Sequence, residues 1–278
     1  MAGVAVVTGA GRGIGRAIAL ALAARGFDVA LAGLEAEPPD LGPFDAAGRR
    51  ARYYPFDLAA LDGHGPLLDR VERELGPIDC LVNNAGVTSL VRGDLLDLSP
   101  ESFDRCCAVN LRGTFFLTQA AARRMLAAQV PAGLRSIVTV SSVNAEIVGE
   151  NRGDYCMTKA ALAMMNKLYA SRLAEAGIAC YEVRPGIIRT EMTAPATGRY
   201  DPFIRDGGVP VRRWGEPADV GRAAAALAAG DLPYMTGTHI DIAGGMQLHR
   251  VCKYPPAKPG ALGREPLEAV GLVADAGR

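Results

Sequence analysis

Short apolar runs alternate with helix-like segments along most of the chain. Seven of these runs are rich in β-branched residues or alternate apolar with polar positions, which predicts strands at 4–7, 28–32, 52–58, 78–82, 135–140, 179–183 and 238–245. Alanine-rich or amphipathic stretches lie between them, including 67–75 and 155–175. Regular alternation of strand and helix predicts an α/β fold: a single doubly wound parallel sheet of about seven strands, with helices on both faces.

A glycine-rich turn follows the first predicted strand. Gly9, Gly13 and Gly15 stand in the pattern Thr-Gly-x-x-x-Gly-x-Gly, directly before an alanine-rich segment that predicts a helix through Arg25. Glycines let the backbone turn sharply and approach a pyrophosphate, whose charge is held by amides at a helix N-terminus. The pattern predicts a Rossmann-type dinucleotide site, and its alternative is a tight turn that binds no ligand.

Tyr155 and Lys159 stand four positions apart in a segment that predicts a helix. Side chains at this spacing project from one face, so an ammonium can lie beside a phenol. The neighbouring positive charge is expected to lower the phenol pKa and make the group a better acid at neutral pH. The alternative is a chance pair on a solvated helix.

Polar residues follow several of the predicted strands. Asn83-Asn84-Ala85-Gly86 comes after the fourth strand, Ser141-Ser142 after the fifth and Arg184-Pro185-Gly186 after the sixth. The carboxyl ends of strands in a doubly wound sheet border the crevice where ligands bind. These residues are therefore expected to meet the glycine loop at one edge of the sheet.

Together these motifs resemble the short-chain dehydrogenase/reductase family, and the resemblance runs to about residue 250. It implies hydride transfer between a nicotinamide cofactor and a secondary alcohol or ketone. Tyr155 is then the acid/base, Ser142, thirteen residues earlier, binds the substrate oxygen, and Lys159 supports the tyrosine and the cofactor ribose. Asn110, in Val-Asn-Leu-Arg-Gly, matches the fourth catalytic residue of the family; its alternative is a surface asparagine on a helix that begins at Ser99.

The resemblance also assigns the cofactor contacts. Asp57 and Leu58 match the position beside the adenine, although an aspartate there is equally a helix cap or a turn residue. Ile188 matches the contact to the nicotinamide carboxamide, and Thr190 matches a contact to the carboxamide or to the phosphate. The full set, with the glycine loop and the strand ends, is Gly9, Arg12, Gly13, Ile14, Gly15, Leu34, Asp57, Leu58, Asn84, Ala85, Gly86, Tyr155, Lys159, Pro185, Gly186, Ile188 and Thr190.

The choice between NAD and NADP depends on the end of the second strand. Gly33 stands where an aspartate usually selects NAD, Leu34 stands where an arginine often selects NADP, and Glu35 follows. Arg12 can pair with a 2′-phosphate, whereas Glu35 repels it if its side chain turns inward. Because a strand-end glycine leaves room and Arg12 lies on a tight loop, the balance favours NADP(H).

Within the family, the segments at 92–98, 141–145 and 213–217 are most similar to the 3-oxoacyl-[acyl-carrier-protein] reductase group. That similarity implies a ketone on an acyl carrier, whose acidic surface would fit Arg92, Arg212 and Arg213; ordinary solvated arginines are the alternative. A sugar, a polyol or another small alcohol is the alternative substrate. A nucleotide-binding regulatory protein without turnover is the alternative of another class.

The composition of the chain bears on its ligands, on metal binding and on its location in the cell. The 278 residues carry 30 basic and 30 acidic side chains, so no overall charge favours nucleic acid or an anionic membrane. The six cysteines form no CxxC pair and the first residues lack the pattern of a secretory leader, which predicts reduced thiols in the cytoplasm. The three histidines lack ligand spacing, so no metal is expected. No apolar run reaches the length of a membrane span.

The segments outside the sheet have predicted roles of their own. Residues 143–154 are expected to form one wall of the substrate cleft, and 191–213 a mobile lid. Residues 36–52 lack a firm period and predict a poor helix or an irregular stretch. Residues 1–250 are expected to form one domain and 251–278 an irregular tail. The family resemblance implies a homotetramer or homodimer.

Overall fold

Seven parallel strands form one sheet in the computed structural model, which describes residues 3–128 and 135–248. The strands, β1 to β7, are Val4–Thr8, Asp28–Gly33, Ala51–Pro55, Ile78–Asn83, Arg135–Val140, Ile178–Pro185 and His239–Ile242. Their spatial order is β3-β2-β1-β4-β5-β6-β7, and every pair of neighbours is parallel. The predicted doubly wound sheet is confirmed.

The winding direction reverses between β1 and β4. The chain moves outward from β1 to β3, then returns to the other side of β1 and continues from β4 to β7. In such a sheet the crevice at the reversal, beyond the carboxyl ends of the strands, is where ligands bind. The glycine loop follows β1, and Asn84 follows β4, so both lie at this point.

Helices cover both faces of the sheet. In chain order α1 to α8 are Gly13–Ala24, Gly42–Ala46, His64–Glu74, Pro100–Cys106, Thr114–Ala127, Gly153–Leu173, Thr197–Arg205 and Pro217–Ala228. Helices α1 and α8 contribute to one core cluster, whereas α3, α5 and the end of α6 contribute to the other. Gly221 permits the close contact of α8 with α1, because a Cβ there would lie 2.7 Å from the carbonyl oxygen of Ala17.

The continuous apolar runs of the strands follow from burial on both faces. In β1, Ala5 and Val7 pack into the core cluster beneath α1 and α8, while Val4 and Val6 pack into the opposite cluster. Successive side chains of a strand point to opposite faces, so a strand covered on both sides needs apolar residues at every position.

Three predicted elements end or change earlier than expected. The last strand, predicted to reach residue 245, stops at Ile242. The third strand stops at Pro55 because the carboxylate of Asp57 accepts a hydrogen bond from the amide of Ala59, at 2.9 Å, and turns the chain. The helix that begins after Ser99 becomes a π-helix over Cys107–Gly113 and resumes as α5. Ser99 does cap it as predicted, accepting from the amide of Ser102 at 3.3 Å.

The remaining predicted segments are partly ordered. The stretch 36–52 contains the short helix α2, 143–154 contains two 3₁₀ turns at Val143–Ala145 and Glu150–Arg152, and 191–213 contains α7. The predicted tail at 251–278 lies outside the described residues. Its boundary at residue 250 stays a prediction.

Candidate active site

A cleft of about 490 Å³ lies at the carboxyl ends of the strands. Every residue that the resemblance assigned to the cofactor lines it: Gly9, Arg12, Gly13, Ile14, Gly15, Leu34, Asp57, Leu58, Asn84, Ala85, Gly86, Tyr155, Lys159, Pro185, Gly186, Ile188 and Thr190. Ser142 lines it as well. Asn110 lies behind the wall at Gly86, where a Cβ would be 3.1 Å from its Oδ1 atom. The structure thus brings the predicted residues together, while their individual roles stay predictions.

The glycine loop has a backbone that only glycine permits without strain. Gly9 and Gly13 have φ values of 64° and 55°, and a Cβ on Gly15 would lie 2.1 Å from the carbonyl oxygen of Gly9. Arg12, the N-cap residue of α1, makes no side-chain cap. The first amides of the helix therefore face the cleft without a capping side chain, which suits the charge and size of a pyrophosphate.

Thr8 joins the ends of β1 and β4, a role that the sequence analysis missed. Its Oγ1 atom accepts from the amides of Asn84 and Ala85, each at 3.0 Å, and donates to the carbonyl of Val82 at 3.3 Å. The Nδ2 atom of Asn84 donates to the carbonyl of Thr8 at 2.9 Å. These contacts hold the glycine loop and the Asn84 turn in fixed register.

The predicted helical pairing of Tyr155 and Lys159 is present on α6. The Lys159 ammonium is buried, with 4% of the residue exposed, and donates to the carbonyl of Val140 at 3.1 Å. Ser142 extends from the end of β5, and its Oγ atom accepts from the amide of Asn144 at 3.1 Å. The hydroxyl proton of Ser142 is thus left for another acceptor.

Asn110 is held on all sides by hydrogen bonds. Its Oδ1 atom accepts from the amide of Val87 at 2.8 Å, and its Nδ2 atom donates to the carbonyl of Val87 at 2.9 Å and to Thr158 Oγ1 at 3.1 Å. The residue is fully buried within the π-helix. The alternative of a surface asparagine is wrong.

The pKa of Tyr155 differs from the expected direction. Loss of solvation raises the pKa above 10, although the hydrogen bond from Ser142 and the charges of Arg152 and Arg92 act to lower it. Lys159 is not among the groups that dominate the pKa. Burial lowers the pKa of Lys159 itself to about 8, against the opposing charge of Glu182. Its charge is therefore held less firmly than that of a surface lysine.

Asp154, predicted only as the last residue of the cleft wall at 143–154, anchors the start of α6 directly before Tyr155. Its buried carboxylate accepts from the Tyr155 amide at 2.7 Å, from Ser102 Oγ at 2.6 Å and from Ser89 Oγ. Burial raises the pKa of Asp154, but these hydrogen bonds outweigh burial and lower it. An acidic residue in the first turn of a helix was the available signal.

A buried ion pair lies next to the ends of β5 and β6 that border the cleft. Glu182 and Arg184, both on β6 and almost fully buried, are joined by two contacts of 2.7 and 3.2 Å. Glu182 also accepts from Ser141 Oγ, and Arg184 reaches Glu146 in the predicted cleft wall. The signal was a charged pair within an apolar strand, which is rare unless the charges are paired.

The adenosine end of the cleft brings Arg12 and Glu35 together. Glu35 turns toward the glycine loop, where a Cβ on Gly11 would lie 3.2 Å from its Oε2 atom. Its carboxylate lies 3.6 Å from Arg12 and accepts from the Tyr53 hydroxyl at 3.1 Å. Arg12 is also 3.2 Å from Glu191. The inward orientation that weighed against a 2′-phosphate is thus the one observed.

Metal sites, disulfides and membrane-spanning helices do not occur in the part of the chain that the structure describes. Residues 3–128 and 135–248 contain no group of three or more metal-ligating side chains. The five cysteines within them are all free thiols. No helix in these ranges is long and apolar enough to cross a membrane.

Comparison with known proteins gives the family. The chain matches the family model described as Enoyl-(Acyl carrier protein) reductase over residues 9–247. A (3R)-3-hydroxyacyl-CoA dehydrogenase of Rattus norvegicus is 34% identical, over 87% of this chain and 95% of its own length. A gluconate 5-dehydrogenase of Gluconobacter oxydans is 33% identical, over 87% and 93%.

A solved structure extends the match to three dimensions. The crystal structure of a 3-oxoacyl-[acyl-carrier protein] reductase from Brucella melitensis in complex with NAD is 47% identical, with a TM-score of 0.88. The match covers 90% of this chain and 99% of that one. Sequence motifs, sheet order and relatives therefore agree, and the chain belongs to the short-chain dehydrogenase/reductase family of oxidoreductases.

Proposed function

We propose that this protein uses NAD to interconvert a secondary alcohol and the corresponding ketone. The observation that carries the proposal is the convergence of Ser142, Tyr155 and Lys159 on the same cleft as the glycine loop. The glycine loop offers uncapped helix amides to a pyrophosphate, and the three polar side chains border the other part of the cleft. A dinucleotide and a small substrate can thus be held side by side.

The chain supplies proton transfer and orientation. A bound nicotinamide would supply or accept the hydride. In reduction Tyr155 donates its phenolic proton to the carbonyl oxygen, and in oxidation it removes the hydroxyl proton. Ser142 donates a hydrogen bond to the same oxygen and stabilises the charge that develops there. The pKa of Tyr155 is raised, which keeps the phenol protonated and ready to donate at neutral pH.

Lys159 and Asn110 support this transfer. The ammonium of Lys159, fixed by the Val140 carbonyl, is proposed to hold the cofactor ribose and to favour the phenolate when Tyr155 has given up its proton. Asn110 is proposed to fix the backbone at Val87 and the adjoining Gly86 wall, and to aid proton resupply.

NAD is proposed as the preferred cofactor. Glu35 lies beside Arg12 at the loop that receives the adenosine end, and its carboxylate suits a ribose 2′-hydroxyl as hydrogen-bond donor. A 2′-phosphate would face like charge from Glu35, and it would have to displace Glu35 and Glu191 from Arg12. The sequence favoured NADP(H) on the premise that the Arg12 guanidinium was free to bind a 2′-phosphate.

Two substrate classes follow from the relatives. The 3-oxoacyl-[acyl-carrier-protein] class needs a basic docking surface, which the sequence analysis placed at Arg92, Arg212 and Arg213. Arg213 pairs with Asp219 at 2.7 Å, and Arg92 is partly buried beside Tyr200. This arrangement favours the second class, a small alcohol such as a sugar, a sugar acid or a polyol.

Self-association is proposed from one face of α6. Met157, Met164 and Leu168 are at least half exposed, and their spacing of seven and four residues aligns them along the helix. Met165 is buried in contrast. An apolar stripe of this kind suits a two-fold contact in a homodimer or homotetramer.

The free thiols are consistent with a proposed cytoplasmic location.

The proposed function is tested by following NADH oxidation with a panel of ketones, and NAD reduction with the matching alcohols. Tyr155→Phe should lower kcat by two or more orders of magnitude, about the contribution of a general acid. NADH affinity, measured by fluorescence titration, should stay unchanged. Near-normal turnover in the variant would contradict the mechanism. NADH binding with no turnover on any substrate would favour the non-catalytic regulatory protein.

A further inference from the structure

Two arginines converge on one tyrosine beside the catalytic residues. Arg92 follows β4, Arg152 ends the 3₁₀ turn before α6, and Tyr200 lies on α7. The Nη1 atom of Arg92 is 3.4 Å from the Tyr200 hydroxyl, and its Nη2 atom is 3.5 Å from Thr88 Oγ1. Arg92 and Tyr200 thus meet from separate segments of the fold, and Arg152 acts electrostatically on the same hydroxyl.

The positive charges of this cluster are not neutralised by the protein. Within residues 3–128 and 135–248, neither Arg92 nor Arg152 forms an ion pair with a carboxylate, whereas Arg12, Arg184 and Arg213 all do. The Nε atom of Arg152 is buried and has no hydrogen-bond partner in the same part of the chain. A buried donor without an acceptor is costly, so Arg152 has unused hydrogen-bonding capacity beside its uncompensated charge.

The pKa of Tyr200 reflects the positive charge of the two arginines. Burial raises the pKa of its hydroxyl, but hydrogen bonding and charge from Arg92 and Arg152 outweigh burial, and the pKa is lowered. The same two arginines act on the Tyr155 phenol. The positive field therefore extends over the proposed proton donor.

A short chain of contacts links this cluster to the reacting position. Arg152 Nη2 donates to Asn144 Oδ1 at 3.0 Å, and the amide of Asn144 donates to Ser142 Oγ at 3.1 Å. A single residue thus separates the guanidinium from the hydroxyl proposed to bind the substrate oxygen. An anion held by Arg152 would therefore lie close to a substrate oxygen bound by Ser142.

We propose that Arg92, Arg152 and the Tyr200 hydroxyl form an oxyanion subsite, and that the substrate is a small secondary alcohol or ketone carrying a carboxylate or a phosphate. This inference rests on the proposed function. The guanidinium groups supply charge-assisted hydrogen bonds to the anion, and Tyr200 supplies a neutral donor. A thioester-linked acyl chain has no charge near its 3-oxo carbon, so it leaves this subsite unmatched.

Binding of simple anions tests the subsite without turnover. Malonate and inorganic phosphate are titrated by calorimetry into the NADH complex of the wild type, of Arg152→Gln and of Arg92→Gln. Loss of one charge-assisted contact should weaken binding about tenfold or more. Arg199→Gln is the matched control, because Arg199 is exposed and lies over the Tyr200 ring, 5.1 Å from its centre, away from the hydroxyl. It should bind within about twofold of the wild type.

Matched substrates test the same subsite in catalysis. D-Gluconate is compared with D-glucitol, and glycerol 3-phosphate with glycerol, so that each pair differs in its charged group and the two pairs separate carboxylate from phosphate. Arg152→Gln should raise KM for the preferred anion at least tenfold and change the neutral partner about twofold at most. Equal anion binding in the wild type and Arg152→Gln would overturn the subsite. Turnover of neutral ketones alone, with no anion binding, would overturn it too while leaving the proposed function intact.

Discussion

The ammonium of Lys159 lies 5.5 Å from the centre of the Tyr155 ring, one helical turn along α6. The relationship couples two groups whose pKa values shift in opposite directions. Burial raises the pKa of the tyrosine and lowers that of the lysine, so both groups lose part of their tendency to be charged. Tyr155 is therefore a protonated acid at neutral pH, and the neighbouring Lys159 gives up its proton more readily than a free lysine.

A pH dependence follows from the lysine. A cation whose pKa is lowered to about 8 loses its charge as pH rises through that value, far below the 10.5 of a free lysine. We expect kcat/KM for ketone reduction to fall above about pH 8, because Lys159 then no longer favours the phenolate. Steady-state rates from pH 6 to pH 10 measure the profile. An unchanged kcat/KM up to pH 10 would contradict the assignment.

Cofactor selectivity tests the position of Glu35. Glu35→Ala removes the negative charge beside Arg12 and frees that arginine for a 2′-phosphate. We expect KM for NADPH to fall about tenfold and KM for NADH to rise by a similar factor. Fluorescence titration of both cofactors gives a readout independent of turnover. Glu37→Ala, at an exposed position two residues on, is the control and should change neither value. A wild type that already prefers NADPH would refute the proposed role.

Loss of the Asp154 carboxylate should affect stability and catalysis together. Asp154→Ala leaves the Ser102 hydroxyl and the Tyr155 amide without their acceptor in a buried site. We expect the free energy of unfolding to fall by about 2–4 kcal/mol. Urea denaturation measures the loss. Asp154→Asn keeps an acceptor oxygen and should lose less; equal stability of Asp154→Ala and the wild type would show that the cluster is dispensable.

The glycine loop offers a test of cofactor binding by shape alone. Gly15→Ala places a methyl group where the nearest backbone oxygen, that of Gly9, would be 2.1 Å away, so the loop must move. We expect NADH affinity to fall at least tenfold. Gly65→Ala is the control, because no atom outside its own stretch of α3 lies within 4 Å of its Cβ position. Retention of full NADH affinity by Gly15→Ala would exclude this loop from the cofactor site.

Local sequence patterns were enough for the sheet and the glycine loop. Strands buried on both faces read as apolar runs, and the loop needs glycine at positions with positive φ, so each leaves a signal within a few residues. The family resemblance then gave the cleft lining, including Ile188 and Thr190, which no local pattern would single out.

The supporting contacts were not predictable in the same way. Asp154 meets Ser89 across 65 positions of sequence, and Thr8 meets Asn84 across 76. Each of these residues is common in loops and at helix ends, so its type alone does not reveal a distant partner. The orientation of the Glu35 side chain was not predictable for the same reason, because the Tyr53 hydroxyl that donates a hydrogen bond to its carboxylate belongs to the next strand.

The position of the Asn110 side chain depends on the number of residues in the π-helix at Cys107–Gly113. A π-helix accommodates one residue more per turn than the α-helical spacing on either side. Deleting a single residue there would let α4 and α5 join as a continuous α-helix, with the packing of α5 on the sheet preserved. Asn110 would then rotate away from Val87. The cleft wall at Gly86 is therefore sensitive to the number of residues in this turn, independently of their chemical identity.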